Sequence, residues 1–211
     1  MKTTDTTVGE FLRRLSGGSA TPGGGSVAAL SGALSAALCA MVGRLTTGRA
    51  KYQEIWAEME QMQNAADRLT VELLELVDKD IEAYEGVVTA LKMPKQTEEH
   101  RSSRQEAIQK ATKEAALVPM ETLRILAELT GLVEKALFKG NPNCLTDAGV
   151  AALLIHAAAL GAAFNVRVNL SGIDDKDFVR NLKSELEEVL NGIIAPVERL
   201  YKMVDRRLEQ P

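Results

Sequence analysis

The chain has few aromatic residues and few cysteines, and each shortage excludes a class of structure or partner. Aromatic residues make up 4% of the 211 residues, which favours closely packed helices over a β-sheet. The two cysteines, Cys39 and Cys144, share no short motif, which predicts reduced, buried thiols in a cytoplasmic protein. The net charge is −4, so the chain has no overall positive field that would attract nucleic acid or anionic lipid.

Histidine is scarce as well, since the chain contains only His100 and His156. A di-iron carboxylate site in a helical bundle needs a glutamate three residues before a histidine on two helices. Thr97 and Leu153 occupy those positions here, so we predict no metal site of this kind. No serine or cysteine has an evident histidine partner, which gives covalent catalysis little support. For His156 we expect a hydrogen-bonded place in the core.

Two uncharged segments, residues 21–43 and 148–166, are long enough to span a bilayer of about 20 helical residues. They consist mainly of Ala, Gly and Ser, whose transfer energy into lipid is small, so buried helices of a soluble protein are the favoured interpretation. Residues 1–10 are polar, which predicts no secretory signal. Membrane insertion remains as an alternative that simple fractionation tests.

Hydrophobic periodicity predicts an all-α fold, an elongated bundle of long, partly kinked helices formed by one domain over residues 1–211. The third helix alone would be about 60 Å long, which suggests an elongated bundle or a dimer. Pro119 is expected to kink or split the fourth helix, and Pro196 to kink the last one. Helices are predicted over residues 7–15, 26–48, 52–91, 97–139, 146–169 and 174–208.

Asp80 occupies a position in the third helix where the pattern calls for a core residue. Its neighbour Asp78 aligns instead with the glutamates of the solvated face. A desolvated carboxylate has a raised pKa, which suits proton transfer near neutral pH. The alternative is a structural acid bonded to a helix cap, to water or to an arginine. The apolar positions step by three and four on one face: Met62, Ala66, Leu69, Leu73, Leu76, then Asp80, Ala83 and Val87.

Two loops lie immediately before predicted helices and could contact a ligand. In residues 22–26 (PGGGS), exposed N–H groups at a helix start can hold an anion or a carbonyl, and Gly23, Gly24 and Gly25 let the ligand approach closely. The alternative is a tight turn with Ser26 as the cap. It is not a Walker loop, because the final Lys-Ser/Thr is absent. In residues 141–147 (NPNCLTD), Asp147 could simply complement the helix dipole.

Six motifs in order then carry a resemblance to a known family. They are residues 22–29 (PGGGSVAA), 47–49 (TGR), 76–84 (LVDKDIEAY), 91–95 (LKMPK), 140–152 (GNPNCLTDAGVAA) and 164–170 (FNVRVNL). The chain resembles the cyclodeaminase domain of formiminotransferase-cyclodeaminase and the stand-alone methenyltetrahydrofolate cyclohydrolases. The resemblance covers residues 7 to 208, nearly the whole chain.

The resemblance implies an all-helical, dimeric folate enzyme that uses no metal or organic cofactor besides its tetrahydrofolate substrate. It implies formimidoyltetrahydrofolate cyclodeaminase activity, methenyltetrahydrofolate cyclohydrolase activity, or both. The family's catalytic aspartate falls on Asp80, as general acid/base, and not on Asp78. Family motif positions also fall on the glycine loop with Ser26 and on Asn141, Asp147 and Asn165, as expected pocket residues. His156 matches no such position.

Two points stay open at the level of sequence. The anionic glutamate tail of a folate needs a cation, and proximity in sequence to the glycine loop suggests Arg44, Arg49 or Lys51. The second open point is the function itself. A non-catalytic helical scaffold or adaptor, in which Asp80 is a buried structural acid, is the alternative to an enzyme.

Overall fold

The computed structural model describes residues 5–209, and within that range the chain is helical with no strand. This confirms the all-α class. Two short 3-10 turns, Ala50–Ile55 and Pro142–Cys144, precede the third and fifth helices. The six α-helices are α1 (Val8–Leu15), α2 (Gly24–Thr46), α3 (Trp56–Leu91), α4 (Glu98–Lys139), α5 (Leu145–Leu170) and α6 (Lys176–Glu209).

Helix starts follow local capping chemistry, with one difference that bears on the site. Thr7 and Thr97 cap α1 and α4, each accepting a backbone N–H 3.1 Å away, as the preference for threonine at this position predicts. The start of α2 lies at Gly24, two residues earlier than Ser26. Ser26 is therefore inside the first turn, and its hydroxyl is available for a partner elsewhere.

Pro119 does not split α4, which runs through it as one helix. Proline lacks an N–H, so the carbonyl of Ala115, four residues earlier, loses its helical donor. The side-chain amide of Asn169 on α5 donates to that carbonyl at 2.8 Å. The expected break is therefore compensated by a neighbouring helix. α6 likewise continues through Pro196.

Helix α2 lies at the centre of the bundle because small residues let its neighbours approach. Ala28, Gly32, Ser35, Cys39 and Gly43 are all buried. A Cβ on Gly32 would lie 2.9 Å from a methyl of Leu126 on α4. A side chain at that position would therefore push the helices apart.

Helices α2 and α5 pack side by side and antiparallel. Gly24 lies near Asn165, and Ala28 lies near Gly161. Further along α2, the hydroxyl of Ser35 donates to the carbonyl of Ala151 at 2.9 Å. The start of α2 therefore lies beside the end of α5, and the end of α2 beside the start of α5.

The outer sides of these two helices form one apolar surface, which we call the α2–α5 face. Leu34 is 51% exposed, and Phe164 and Val168 are 64% and 65% exposed. Helical periodicity places its members on one side of each helix, and none is charged. They are Val27, Ser31, Leu34, Leu38, Met41 and Leu45 of α2, with Val150, Leu153, Ala157, Gly161, Phe164 and Val168 of α5.

The same two helices are the segments long and apolar enough to cross a bilayer, by length and composition alone. In the helix at 24–46, 61% of the apolar window is buried within the fold, and in the segment at 142–170 the share is 50%. Half-buried helices of this kind also occur in the cores of soluble proteins. Length and composition alone therefore do not establish a membrane span.

Candidate active site

A cavity of about 360 Å³ lies where α2 begins and α5 ends, and Asp80 of α3 is one of its walls. The apolar stripe of α3 explains the position. The stripe positions up to Leu76 are buried in the core, whereas Asp80, Ala83 and Val87 are half-buried. The last three positions of the stripe therefore line the cavity instead of packing in the core. The lining residues are Ala20, Thr21, Gly23, Gly24, Gly25, Asp80, Ala83, Tyr84, Val87, Ala115, Asn165, Val168 and Asn169.

The carboxylate of Asp80 is held against the first turn of α2. The buried hydroxyl of Ser26 donates to its Oδ2 atom at 2.7 Å, and the backbone N–H of Ser26 is a second donor. The positive end of the helix dipole adds a favourable field for an anion at this point. The partner of Asp80 is thus a helix start and a hydroxyl, and its electrostatic environment in the described chain includes no arginine or lysine.

Burial raises the pKa of Asp80 above the usual range of a carboxyl, and the two hydrogen bonds from Ser26 oppose that rise. The net direction is upward, because desolvation disfavours the charged form more than the two donors stabilise it. A carboxyl of this kind can exchange a proton closer to neutral pH than an exposed aspartate can.

The glycine loop touches Asp80 directly. A Cβ on Gly25 would lie 2.7 Å from the Cγ atom of Asp80 and 3.0 Å from its Oδ2, so only glycine leaves room for the carboxylate. Gly24, by contrast, is exposed and would meet only the amide of Asn165, at 3.7 Å. All three glycines line the cavity, and of the three Gly25 alone is buried.

Two asparagines of α5 contribute amide groups to an otherwise mostly apolar wall. The Asn165 amide donates to the carbonyl of Gly161 at 2.8 Å, one turn back. Asn169 bridges to α4 through Ala115. Both amides are therefore fixed in orientation, and both line the cavity.

The structure adds lining residues that the sequence interpretation did not single out. Tyr84, Val168 and Asn169 are among them. Tyr84 follows Asp80 by four residues, and helical spacing could have placed it on the same side. Asn169 follows Asn165 by four residues in the same way. No signal in the sequence identifies Ala115, because its place depends on the packing of α4.

Arg49, Asn141 and Asp147 do not line this cavity within one chain. They lie at the opposite end of α2, about 30 Å away along the helix. Asn141 is buried. Its side-chain oxygen accepts a hydrogen bond from the backbone N–H of Asn143 at 3.1 Å, and its side-chain amide donates one to the carbonyl of Leu45 at 3.1 Å. Within this chain its contacts are those of a structural residue.

The three candidate cations for the folate tail also lie at that opposite end of α2. Arg44 forms an ion pair with Asp67, in which its Nη2 atom lies 2.9 Å from Oδ1 and 2.7 Å from Oδ2 of the carboxylate. Arg49 is exposed, and Lys51 lies over the ring of Tyr52. Proximity in sequence to the glycine loop therefore did not give proximity in space.

His156 lies between α5 and α6, outside the cavity. Its Nε2 atom is 3.8 Å from a carboxylate oxygen of Glu198, and its ring packs edge-on against Tyr201. His156 is therefore half-buried between two helices, outside the cavity, and not in the hydrogen-bonded core position expected from the sequence.

Comparison with known proteins identifies the family of the chain. The family model described as formiminotransferase-cyclodeaminase matches residues 7–188. The chain is 40% identical over 202 residues to a methenyltetrahydrofolate cyclohydrolase of Methylorubrum extorquens, covering 96% of this chain and 97% of the relative.

Two further relatives match over most of this chain. A formimidoyltransferase-cyclodeaminase of Mus musculus is 34% identical, over 88% of this chain and 34% of its own length. The crystal structure of a formiminotetrahydrofolate cyclodeaminase from Thermotoga maritima superposes with a TM-score of 0.88 at 34% identity, covering 97% of this chain and 98% of that one. The chain belongs to the formiminotransferase-cyclodeaminase family.

Proposed function

We propose that this chain is a folate one-carbon enzyme, a formimidoyltetrahydrofolate cyclodeaminase, a methenyltetrahydrofolate cyclohydrolase, or both. The observation that carries the proposal is the half-buried carboxylate of Asp80, held by Ser26 in the wall of a cavity. One relative named as a cyclohydrolase and one named as a cyclodeaminase match the chain over nearly its full length, which supports one catalytic domain over residues 1–211.

Asp80 is the proposed proton shuttle in cyclodeamination. N10 of 5-formiminotetrahydrofolate attacks the carbon of the protonated formimino group (–CH=NH2+). The new N10–C bond closes the five-membered ring, while the C=N π bond breaks and its electrons pass to the nitrogen. The proton released from N10 passes to the carboxylate and then to the amino group, which leaves as ammonia with the electrons of its C–N bond. The product is the 5,10-methenyl cation, and the carboxylate is restored.

The same carboxylate serves cyclohydrolysis of 5,10-methenyltetrahydrofolate. Water adds to the cationic methenyl carbon while Asp80 takes its proton. One C–N bond of the ring then breaks as its nitrogen receives that proton from Asp80, and the new hydroxyl releases its proton to solvent and becomes the formyl oxygen. The ionised carboxylate also stabilises the positive charge of the substrate in a partly dry site. The apolar wall of Ala83, Val87 and Val168 suits a flat ring, and the fixed amides of Asn165 and Asn169 give it hydrogen-bonding groups.

We propose that neither reaction needs a metal or an organic cofactor, because each consists of proton transfer and bond rearrangement at one carbon. Within residues 5–209 no three His, Cys, Asp or Glu side chains are grouped so that they could hold a metal ion. We therefore expect the purified protein to keep its full activity after dialysis against a chelator, which an activity assay before and after dialysis measures.

A side-by-side kinetic assay tests the function and assigns the reaction. Cyclodeamination of 5-formiminotetrahydrofolate releases ammonia, whereas cyclohydrolysis of the 5,10-methenyl compound does not. We expect turnover of at least one of the two substrates by the purified protein. If the folded protein converts neither, the scaffold alternative replaces this proposal.

Replacing Ser26 with alanine is expected to move the acidic limb of the pH profile to higher pH. The Ser26 hydroxyl stabilises the ionised form of Asp80 and lowers its pKa, so its loss raises that pKa further. Cyclohydrolysis needs the ionised carboxylate, and kcat/KM therefore falls at a higher pH than in the wild type. An acidic limb at the wild-type position in the variant would contradict the role of Asp80 as the base.

We propose that the enzyme is a soluble, cytoplasmic homodimer that joins through the α2–α5 face. Two helices side by side, about 35 Å long and together about 20 Å wide, give about 700 Å² per subunit. That area approaches the roughly 800 Å² per partner of a standard interface. An uncharged face of this size on a water-soluble chain indicates a protein contact, and a buried contact also explains why both helices resemble membrane spans in composition.

The variant Leu34→Glu is expected to shift the dimer toward monomer, because it places a charge in the centre of the α2–α5 face. The matched control is Val71→Glu on α3, since Val71 is 57% exposed against 51% for Leu34 and lies outside the face. Sedimentation velocity measures the result. Equal sedimentation of both variants and the wild type would contradict this interface.

A further inference from the structure

The Asp80 cavity has no cation for the anionic part of the proposed substrate. Of the described residues that line it, Asp80 alone is charged, and the rest are small, apolar, hydroxyl or amide side chains. A folate carries glutamate carboxylates, which bind best to arginine or lysine. If the proposed function holds, on which this inference rests, the site is incomplete within one chain.

The opposite end of the same two helices has a cation without an ion-pair partner. Arg49 is exposed, and among residues 5–209 its guanidinium forms no ion pair, while its backbone carbonyl accepts the indole N–H of Trp56 at 3.2 Å. Burial raises the pKa of the Cys144 thiol, the charge of Asp147 raises it further, and the charge of Arg49 lowers it. The charges of Arg49 and Asp147 therefore lie at the same end of the α2–α5 face.

The α2–α5 face thus has a cavity with a carboxylate at one end and an exposed arginine at the other. Because α2 and α5 are antiparallel, the two ends are separated by the length of the helices, about 30 Å. A second copy can meet this face in two ways that preserve two-fold symmetry. Its helices run either parallel or antiparallel to those of the first.

We infer that the copies pack antiparallel across the α2–α5 face, so that Arg49 of the partner subunit reaches the Asp80 cavity and binds the substrate's carboxylates. Parallel packing would place the two Asp80 cavities together and the two Arg49 side chains together. Antiparallel packing brings the end that carries Arg49 and Asp147 to the Asp80 cavity of the other copy, and of the two arrangements it alone supplies that cavity with a cation. The two-fold axis then crosses α5 near Ala157, the midpoint between Val150 and Phe164.

Activity of mixed dimers tests whether the two residues come from different chains. Asp80→Asn and Arg49→Ala chains carrying different tags are coexpressed, and the heterodimer is isolated by both tags. With Arg49 acting across the interface, one site of the heterodimer keeps both residues and the other site loses both. We expect about half of the wild-type activity, well above either parent homodimer, at folate concentrations below KM.

The outcomes separate this inference from the proposed function. A heterodimer no more active than the mean of its parents overturns the contribution of Arg49 from the partner subunit, as does a wild-type kcat/KM in Arg49→Ala. Wild-type turnover by the Asp80→Asn homodimer overturns instead the proposed role of Asp80. A selective rise in KM for Arg49→Ala, with kcat retained, is the expected sign of lost tail binding.

Cross-linking tests the packing without any enzyme activity. A short bismaleimide should join Val150→Cys on one chain to Phe164→Cys on the other, and should not join two Phe164→Cys chains. The native thiols do not interfere, since both are buried and burial raises the pKa of Cys39 to about 12. A product between two Phe164→Cys chains, or no mixed product from an intact dimer, overturns the antiparallel arrangement.

Discussion

Replacing Asp80 with asparagine is expected to lower kcat/KM for the folate substrate by about 10²–10⁴-fold, the usual contribution of a placed general acid/base. Asparagine has the size of aspartate and can still accept the hydrogen bond that Ser26 donates at 2.7 Å. It cannot take or give the proton that both proposed reactions require. A steady-state assay with both folates measures the effect, and near-normal turnover would exclude Asp80 as the proton shuttle.

The stability of the same variant provides the control. Because burial raises the pKa of Asp80, the native state binds a proton more tightly than the unfolded chain does. The contribution of Asp80 to stability is therefore full below the ordinary carboxyl pKa and is lost as pH rises through the raised one. At neutral pH we expect Asp80→Asn to melt at or above the wild-type temperature, so a lower activity cannot be attributed to unfolding.

The second large loss of activity is expected for a substitution of Gly25, a residue that takes no part in the proton transfer itself. A Cβ there would lie 2.7 Å from the Cγ atom of Asp80, so Gly25→Ala must displace the carboxylate. Its φ angle is outside the left-handed region, and the substitution therefore acts only through space. A misplacement of about 1 Å can cost about 10²-fold in rate, and we expect a loss of that size in kcat.

Gly131→Ala is the matched control for this substitution. Gly131 is exposed within α4, and a Cβ there would meet no atom within 4 Å. Both variants replace a helical glycine with a better helix former, so both should fold. Activity should fall in Gly25→Ala alone, and equal activity in the two variants would mean that Asp80 tolerates the added methyl group or does not act in turnover.

Helical class and the position of the key acid could be predicted because both depend on local periodicity. The stripe from Met62 to Val87 assigns Asp80 to the inner face of one helix, whatever packs against it. The structure confirms that assignment, with Leu76 and Val77 buried just before it. The small-residue side of α2 was predictable in the same way, because close helix approach requires residues such as Gly32 and Gly43.

Helix boundaries at glycine and proline were harder to predict. Glycine costs little at the first helical position, so α2 begins at Gly24 and frees Ser26 to bind Asp80. Pro119 breaks one hydrogen bond but not α4, because Asn169 donates to the carbonyl that it leaves free. In both cases the deciding partner is on another helix, which local preferences do not describe.

By itself the sequence determined the all-helical class and the inward acid, because each is a property of the periodicity along one helix. Only the tertiary structure showed that the glycine loop leaves room for this acid, because Gly25 and Asp80 belong to different helices. The tertiary structure decided which of the other candidate residues share the Asp80 cavity. Asn165 comes to it from α5, since α5 runs antiparallel beside α2. Arg49 is close to the glycine loop in sequence but about 30 Å away, because the helix between them is a rigid rod that rises about 1.5 Å per residue.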